Sequence, residues 1–543
     1  MTFLLCCKST KDMKRPCIIS ILALIVVITL SIVIFSGIDE ENSGPKEYFA
    51  AVVEYHTVGE DDRISLRDLM LKNVDEYELL IKNASRLNVD IIVFPEAGLT
   101  GIYFNRSRLY LSANLVDVPS PHQHVTPWKL PRGASHEVLR RISHAAHLNK
   151  IYVVINLLEK FNCSLQSDCP VDEFLFYNTN VVFDRQGLII ARYRKSHLFR
   201  EPEFSAPRPT EISTFKTDFG VTFGMLICFD ILFEDPAIRL LQETHVKDII
   251  FTSAWYSKLP FLYAVGVQAG WSYTMDVNLL ASTLNTKRHG GSGIYAGKNG
   301  ARVAVTPNEV GTQVHFAKVP FWSESPKALR RSYPPPVKRD LPSNSKNQSY
   351  SQKKLQFSRD YSLLKMSTKI LEYPSDQIYE KIDGVVFKTE LNYSVPNFES
   401  SASVRWSINK KFDSWAPRYR LFSFFGDRPF GGEGTATIAI CGIAACRNES
   451  IESCGLIPNI DSSVKTTLHD VIININSKIL TEDYIPITGD FNLEPLTIEK
   501  FQFSKQRIRN SDNSAEYKLN MSILQPVDNV LSFGIYKVPG KWN

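Results

Sequence analysis

The chain has 543 residues, with 62 Lys+Arg against 57 Asp+Glu, 44% hydrophobic residues and nine cysteines. That is too long for one ordinary domain and too mixed for a disordered, collagen-like or fibrous protein. Lys8, Lys11, Lys14 and Arg15 against Asp12 supply +3 of the net charge of +5. The remainder therefore lacks the concentrated basic surface that phosphate binding needs, and no nucleic-acid partner is expected.

Residues 1–16 read as a cytoplasmic tail. From Pro16 to Ile38 no residue is charged, and Cys17–Phe35 is almost wholly aliphatic. That run matches the roughly 20 apolar residues a bilayer core needs and exceeds an ordinary signal-peptide core. Basic residues precede it and Asp39, Glu40 and Glu41 follow, so residues 17–37 are expected to act as a signal anchor that exports the rest of the chain. An over-long cleaved signal peptide, with Ser36 or Gly37 near the cut, is the alternative. The membrane is thus an expected partner through this segment, and the compartment extracellular or luminal. Seven N-x-S/T sequons support export, at Asn83, Asn105, Asn162, Asn347, Asn392, Asn448 and Asn520, with none in the tail.

From residue 47 short β-rich runs alternate with helical ones. Phe49–Glu54 reads as a strand; Leu66, Leu69, Met70, Val74, Tyr77, Ile81 and Ala84 recur at helical spacing; Val89–Phe94 returns to strand. Val138, Leu139, Ile142, Ala145 and Ala146 form a second helical face before the strand Ile151–Asn156. Asn180–Phe183, Leu188–Tyr193, Val221–Ile227, Asp248–Thr252 and Val277–Ala281 complete an α/β layered domain over residues 47–322. Residues 323–354, rich in Pro, Ser, Asn and Lys, form a polar linker. Residues 355–543 are mainly β, with strands expected at Ser403–Asn409, Thr435–Ile440, Val471–Ile475, Tyr517–Ile523 and Val530–Tyr536.

Three segments end strands of the first domain with reactive residues, where open α/β sheets place ligands. In Asp90–Gly98, Pro95 and Gly98 stop the strand and leave Glu96 at its carboxyl end. In Ala191–Glu201, Lys195 leaves a strand. In Val221–Pro236, a buried strand meets a tight turn that presents Cys228, as a nucleophile elbow presents its serine. Singly these residues also fit a solvated turn acid, a solvated lysine and a core cysteine. Together they supply what a thiol nucleophile lacks at neutral pH, a base to take its proton and a cation to hold developing negative charge.

Pro95-Glu96, Arg192-Tyr193-Arg194-Lys195 and Ile227-Cys228-Phe229-Asp230 resemble the Glu-Lys-Cys triad of the nitrilase (carbon–nitrogen hydrolase) superfamily, most closely its exported vanin/biotinidase branch. Phe176-Tyr177-Asn178-Thr179, Ser253-Ala254-Trp255 and Gly291–Tyr295 support the resemblance, which covers roughly residues 47–310. It implies an α-β-β-α sandwich followed by a smaller mainly β domain. It also implies hydrolysis of a linear secondary amide through a Cys228 thioester, with Glu96 as general base and acid, and with Lys195 and the Phe229 backbone N–H holding the oxyanion. Glu201 matches a second, positioning glutamate, and Tyr177, Asn178 and Trp255 are implied to line the pocket. The partner is then a small-molecule amide, pantetheine first and biotin amides second. No cofactor is implied. His122 and His124 lack a convincing set of ligand partners, so no metal site is read. Ala97 after Glu96 and Ile102 after Gly101 depart from the pattern, where relatives often have Asp and an aromatic. The residues also leave open a catalytically silent adhesion or receptor ectodomain, and acyl transfer to an amine other than water.

The cysteines divide by compartment. Cys6, Cys7 and Cys17 belong to the tail and apolar segment. Cys163 and Cys169 share one polar loop and are expected to pair. Cys228 must stay reduced to act as a nucleophile. Of Cys441, Cys446 and Cys454, two can pair and one is left over.

Overall fold

Strands apolar on both faces are buried on both sides, and the early strands of this chain are of that kind. The computed structural model describes residues 47–58, 64–102, 105–112, 126–132, 136–167, 169–322, 357–372, 385–409, 417–430, 434–456, 465–479, 483–509 and 515–540. The expected tail, the apolar segment 17–37, the linker 323–354, Asn347, His122 and His124 lie outside the described residues. Among the described residues no helix is long and apolar enough to cross a membrane.

In chain order the first domain runs β1 (Glu47–Glu54), α1 (Leu66–Ser85), β2 (Ile91–Val93), α2 (Arg106–Ser112), α3 (Glu137–Asn149), β3 (Tyr152–Asn162), β4 (Phe174–Phe183) and β5 (Ile189–Arg194). It continues through β6 (Thr214–Lys216), β7 (Thr222–Ile227), α4 (Arg239–Thr244), β8 (Asp248–Ser253), β9 (Lys258–Leu259), α5 (Ala264–Met275), β10 (Asn278–Thr283), β11 (Ser292–Ala296), β12 (Ala301–Val305) and β13 (Gln313–Pro320). Two sheets result, in the orders β13-β1-β2-β3-β4-β5 and β12-β11-β10-β8-β7-β6. Each has a parallel centre, β1-β2-β3 in one and β7-β8-β10 in the other, and antiparallel flanks.

Period-two alternation explains the layering. Ala50, Val52, Ile91, Val93 and Val154 face the second sheet in one core, while Ala51, Val53, Ile92, Val153 and Ile155 face α1 and α3 in another. Ser65 caps α1 by accepting the Asp68 N–H at 3.1 Å. Lys150, in a left-handed conformation with φ 53°, ends α3 and turns the chain into β3. Helices outside two face-to-face sheets make the expected α-β-β-α order. Helix α5 was not anticipated. Its sequence is apolar almost all round because it is buried between the second sheet and the C-terminal domain, so it has no polar face to set a period.

The C-terminal domain is a β-sandwich. One sheet orders Ser367–Ile370, Arg418–Pro429, Thr435–Cys446, Val530–Lys537 and Tyr484–Asp490. The other orders Phe387–Val395, Phe398–Asn409, Lys465–Ser477, Ala515–Ile523 and Phe501–Arg509. Arg418–Pro429, Phe387–Val395, Tyr484–Asp490 and Phe501–Arg509 go beyond the sequence reading, since their charged or Pro and Gly residues mask the alternation.

The two domains share a core. A Cβ at Gly270 on α5 would lie 2.1 Å from the Pro486 carbonyl oxygen, so only glycine lets the helix lie this close to the strand Tyr484–Asp490. Tyr263 donates to Thr488 O at 2.8 Å. Beyond the linker, β14 (Ser358–Arg359) pairs in parallel with β9. At the far end of the sandwich, Gly540 N donates to Leu232 O and Gly540 O accepts from Glu234 N, both at 3.0 Å, on the segment that follows Cys228.

Cys163–Cys169 is a disulfide at the tip of the β3–β4 hairpin, and Cys446–Cys454 is a second one. Cys228 and Cys441 are free and buried. Asn105, Asn162, Asn392 and Asn448 are exposed and Asn520 half-exposed. Asn83 is corrected: it is only 6% exposed on α1, which leaves a glycan amide no outlet to solvent.

Candidate active site

The carboxyl ends of the parallel strands of both sheets converge on one cleft of about 250 Å³ that holds Glu96, Lys195 and Cys228 together. Glu96 follows β2, Lys195 follows β5, and Cys228 follows β7. Cys228 has φ 48° at the start of a short 3₁₀ turn, a left-handed conformation that an L residue adopts only under constraint from its surroundings. Buried Asp230, two residues on, supplies that constraint. It accepts from Tyr193 Oη at 2.7 Å, His197 N at 2.8 Å, Ser196 N at 3.2 Å and Ile227 N at 3.2 Å. One carboxylate thus ties the nucleophile turn to the segment that carries Lys195.

Lys195 is 2% exposed and its Nζ donates to Glu96 Oε1 at 2.7 Å and to Glu201 Oε2. Asn178 Nδ2 gives one hydrogen to Glu96 Oε1 and one to Glu201 Oε1, each at 2.7 Å. The remaining Glu96 oxygen, Oε2, accepts from Ala254 N at 2.6 Å. Asn156 fixes the orientation of the Asn178 amide, donating to Asn178 Oδ1 at 2.7 Å while accepting from Ala97 N at 2.9 Å. The carboxylates are thereby aimed without relying on solvent.

Burial disfavours each charge, and neighbours decide the balance. Burial alone would lower the Lys195 ammonium, but Glu201 and Glu96 outweigh it and hold the group well above the usual lysine range. Burial raises the Glu201 carboxyl, with Lys195 opposing and Glu96 reinforcing. Burial and the Glu96 charge push the Cys228 thiol up, against the pull of Lys195 and Ser253. The resting thiol is therefore protonated and needs a base at the moment of attack. Burial pulls His289 on the cleft wall down to about 4, so at neutral pH it adds no charge.

The structure brings together Glu96, Lys195, Cys228, Glu201 and Asn178, with Phe229 following the nucleophile and Trp255 on an adjoining apolar recess. Tyr177 is corrected. It neighbours Asn178 on β4 and so points to the other face, where the Arg194 guanidinium lies 3.9 Å from its ring centroid. Asn156, Asp230 and Phe430 were missed. Asn156 carried a usable signal, a polar residue that interrupts the apolar run of β3 level with the end of β2. Phe430 carried none, because it arrives from the other domain.

A carbon–nitrogen hydrolase family model matches residues 68–269, and a vanin C-terminal domain model matches residues 391–540. Vanin-like protein 2 of Drosophila melanogaster is 34% identical over 90% of this chain and 89% of its own length. The chain belongs to the vanin-like family. Vanin-like protein 1 of the same organism is 32% identical over 85% of this chain and 81% of its own. A pantetheinase from Bos taurus is 42% identical over 42% of this chain and 45% of that protein. The two family models meet here in one molecule: the carbon–nitrogen hydrolase part carries the Glu-Lys-Cys cluster, and the vanin part braces the turn behind Cys228.

Proposed function

We propose that this vanin-like protein is an exported amidohydrolase that cleaves pantetheine to pantothenate and cysteamine. The observation that carries the reading is the convergence of Cys228, Glu96 and Lys195 in one cleft, in a chain 42% identical over its matched part to a pantetheinase.

Glu96 takes the thiol proton as Cys228 Sγ attacks the amide carbonyl. The tetrahedral oxyanion is held by the Phe229 N–H and by Lys195. Two of the three ammonium hydrogens are engaged by Glu96 and Glu201, which leaves one for the oxyanion. Glu96 then gives the proton to the departing amine nitrogen, the C–N bond breaks, and a Cys228 thioester remains. Water, deprotonated by Glu96, adds to the thioester carbonyl and expels the thiolate, which recovers the proton. Glu201 touches Lys195 and Asn178 and acts as a positioning residue. The two disulfides and the exposed sequons suit an oxidising compartment, with residues 17–37 as the proposed tether.

The test is release of pantothenate from pantetheine by the exported protein and by Cys228→Ala. The active protein should release it and the variant should fall to background with unchanged thermal unfolding. Turnover that survives in Cys228→Ala, or none in the unaltered protein, defeats the reading.

A further inference from the structure

We propose that the cleft has two arms and that the narrow one, closed by Phe430 of the C-terminal domain, is a subsite for a short, sulfur-bearing amine. The inference rests on the amidohydrolase reading and adds a determinant of leaving-group choice. Beside the wide arm of about 250 Å³ lies a recess of about 30 Å³, and the two share Phe199, Cys228 and Tyr256. A carbonyl carbon attached to Cys228 therefore has one direction into each arm.

The arms differ in size and chemistry. The wide arm carries Glu96, Asn178, Arg200, Arg288 and His289, which suits a long acyl group rich in hydroxyl and amide groups. The narrow arm is walled by Phe229, Trp255, Leu262 and Phe430 and has room for roughly two or three non-hydrogen atoms. The portion of cysteamine beyond its nitrogen is two methylenes and a sulfur. Rings surround that space: Phe229 lies 5.0 Å from Phe199 and 5.8 Å from Phe430, centroid to centroid, and thiol sulfur is favoured against aromatic rings.

Charge points the same way. Lys258 also borders the narrow arm, with the Arg428 and Arg200 cations and the Asp360 carboxylate near it. An amine that carries a second ammonium is repelled there. The lysine released from a biotin amide such as biocytin is too long for the recess. Phe430 is held in place from behind, with the Arg428 guanidinium 4.7 Å from its ring centroid and its N–H donated to Gly434 O at 3.0 Å.

The test is kcat/KM for pantothenoyl amides of one acyl group and four amines: ammonia, cysteamine, pentylamine and 1,5-diaminopentane. The unaltered protein should prefer cysteamine over pentylamine by about tenfold or more and cleave the diamine amide least. Phe430→Ala should lower the cysteamine value about tenfold, chiefly through KM, and raise the pentylamine value by a similar factor. Leu262→Phe enlarges another side chain lining the recess and should depress cysteamine while sparing the ammonia amide. An unchanged ranking in the variants overturns the inference and leaves the amidohydrolase reading standing. Failure of the unaltered protein on every amide instead defeats that underlying reading.

Discussion

Two buried ionic clusters grow from the same hairpin and strand, and only one of them is suited to chemistry. In the first, Glu159 accepts from Arg192 Nη1 at 2.8 Å, Arg194 Nε at 2.9 Å and Thr179 Oγ1 at 2.7 Å, while Glu211 accepts from Arg192 Nη2 at 3.2 Å. Its two guanidinium groups balance two carboxylates, and aromatic rings of Tyr177 and Phe161 cover Arg194. In the second, one ammonium faces two carboxylates and a thiol on the wall of an open cleft. The first cluster is charge-balanced, and none of its four ionic side chains lines the cleft. The second carries an excess negative charge, which is what leaves a carboxylate able to accept a proton. Arginine suits the structural role because it does not titrate; lysine keeps a spare donor for a passing oxyanion.

The sharpest way to break this comparison is to remove one cation from each cluster. Lys195→Met should cut pantetheine turnover by at least about 10²-fold, because it deletes an oxyanion donor and strands two buried carboxylates. Arg194→Met should cost about 1.5–3 kcal/mol of stability by removing a charged partner of buried Glu159, which keeps Arg192, yet leave kcat of the folded fraction near that of the unaltered protein. Unfolding curves and turnover measured on both variants test the contrast, and an Arg194→Met protein that is stable but inactive would erase it.

A smaller effect separates holding from reacting. Glu201→Gln keeps an acceptor for Lys195 and should lower kcat about tenfold with little change in KM, as expected for a group that acts through Lys195 and Asn178. It should also move the acid limb of the pH–rate profile. Burial raises the Glu201 carboxyl, so it takes up a proton earlier than an ordinary glutamate as pH falls, and the cluster then loses the charge that holds Lys195. In the glutamine variant that limb should retreat to lower pH. A limb that stays where it was would assign it to another group.

The smallest effect concerns the cover of the charge-balanced cluster. Tyr177→Leu should leave KM for pantetheine within about twofold, since the ring lies under Arg194, and cost about 1 kcal/mol or more through the lost cation–π contact and packing. A large rise in KM would return Tyr177 to the pocket.

The parallel centre of the first domain was legible because each strand is a short, nearly continuous apolar run that ends in a polar residue or sharp turn. That is why the sequence alone places Glu96 and Cys228 at strand ends. The Tyr177–Asn178 pair shows the limit: resemblance marks a stretch, and only the pleat decides which neighbour faces the cleft. Helix α5 was hidden because burial on all sides removes periodicity. Asp230 stood in full view within the Cys228 motif; its bond from Ile227 N is local, yet the three from Tyr193, Ser196 and His197 are tertiary and no spacing announces them. Phe430 and Gly540 depend on contacts between domains, which a reading made segment by segment does not reach.

The two hydrogen bonds from Gly540 set an order of events. The turn that presents Cys228 receives its backbone partners from a residue made roughly 300 positions later, long after β7 has left the ribosome. A nascent first domain can supply the Asp230 bonds that hold Cys228, but the end of the same turn, at Leu232 and Glu234, gains these two backbone partners only once the last residues of the C-terminal sandwich are in place.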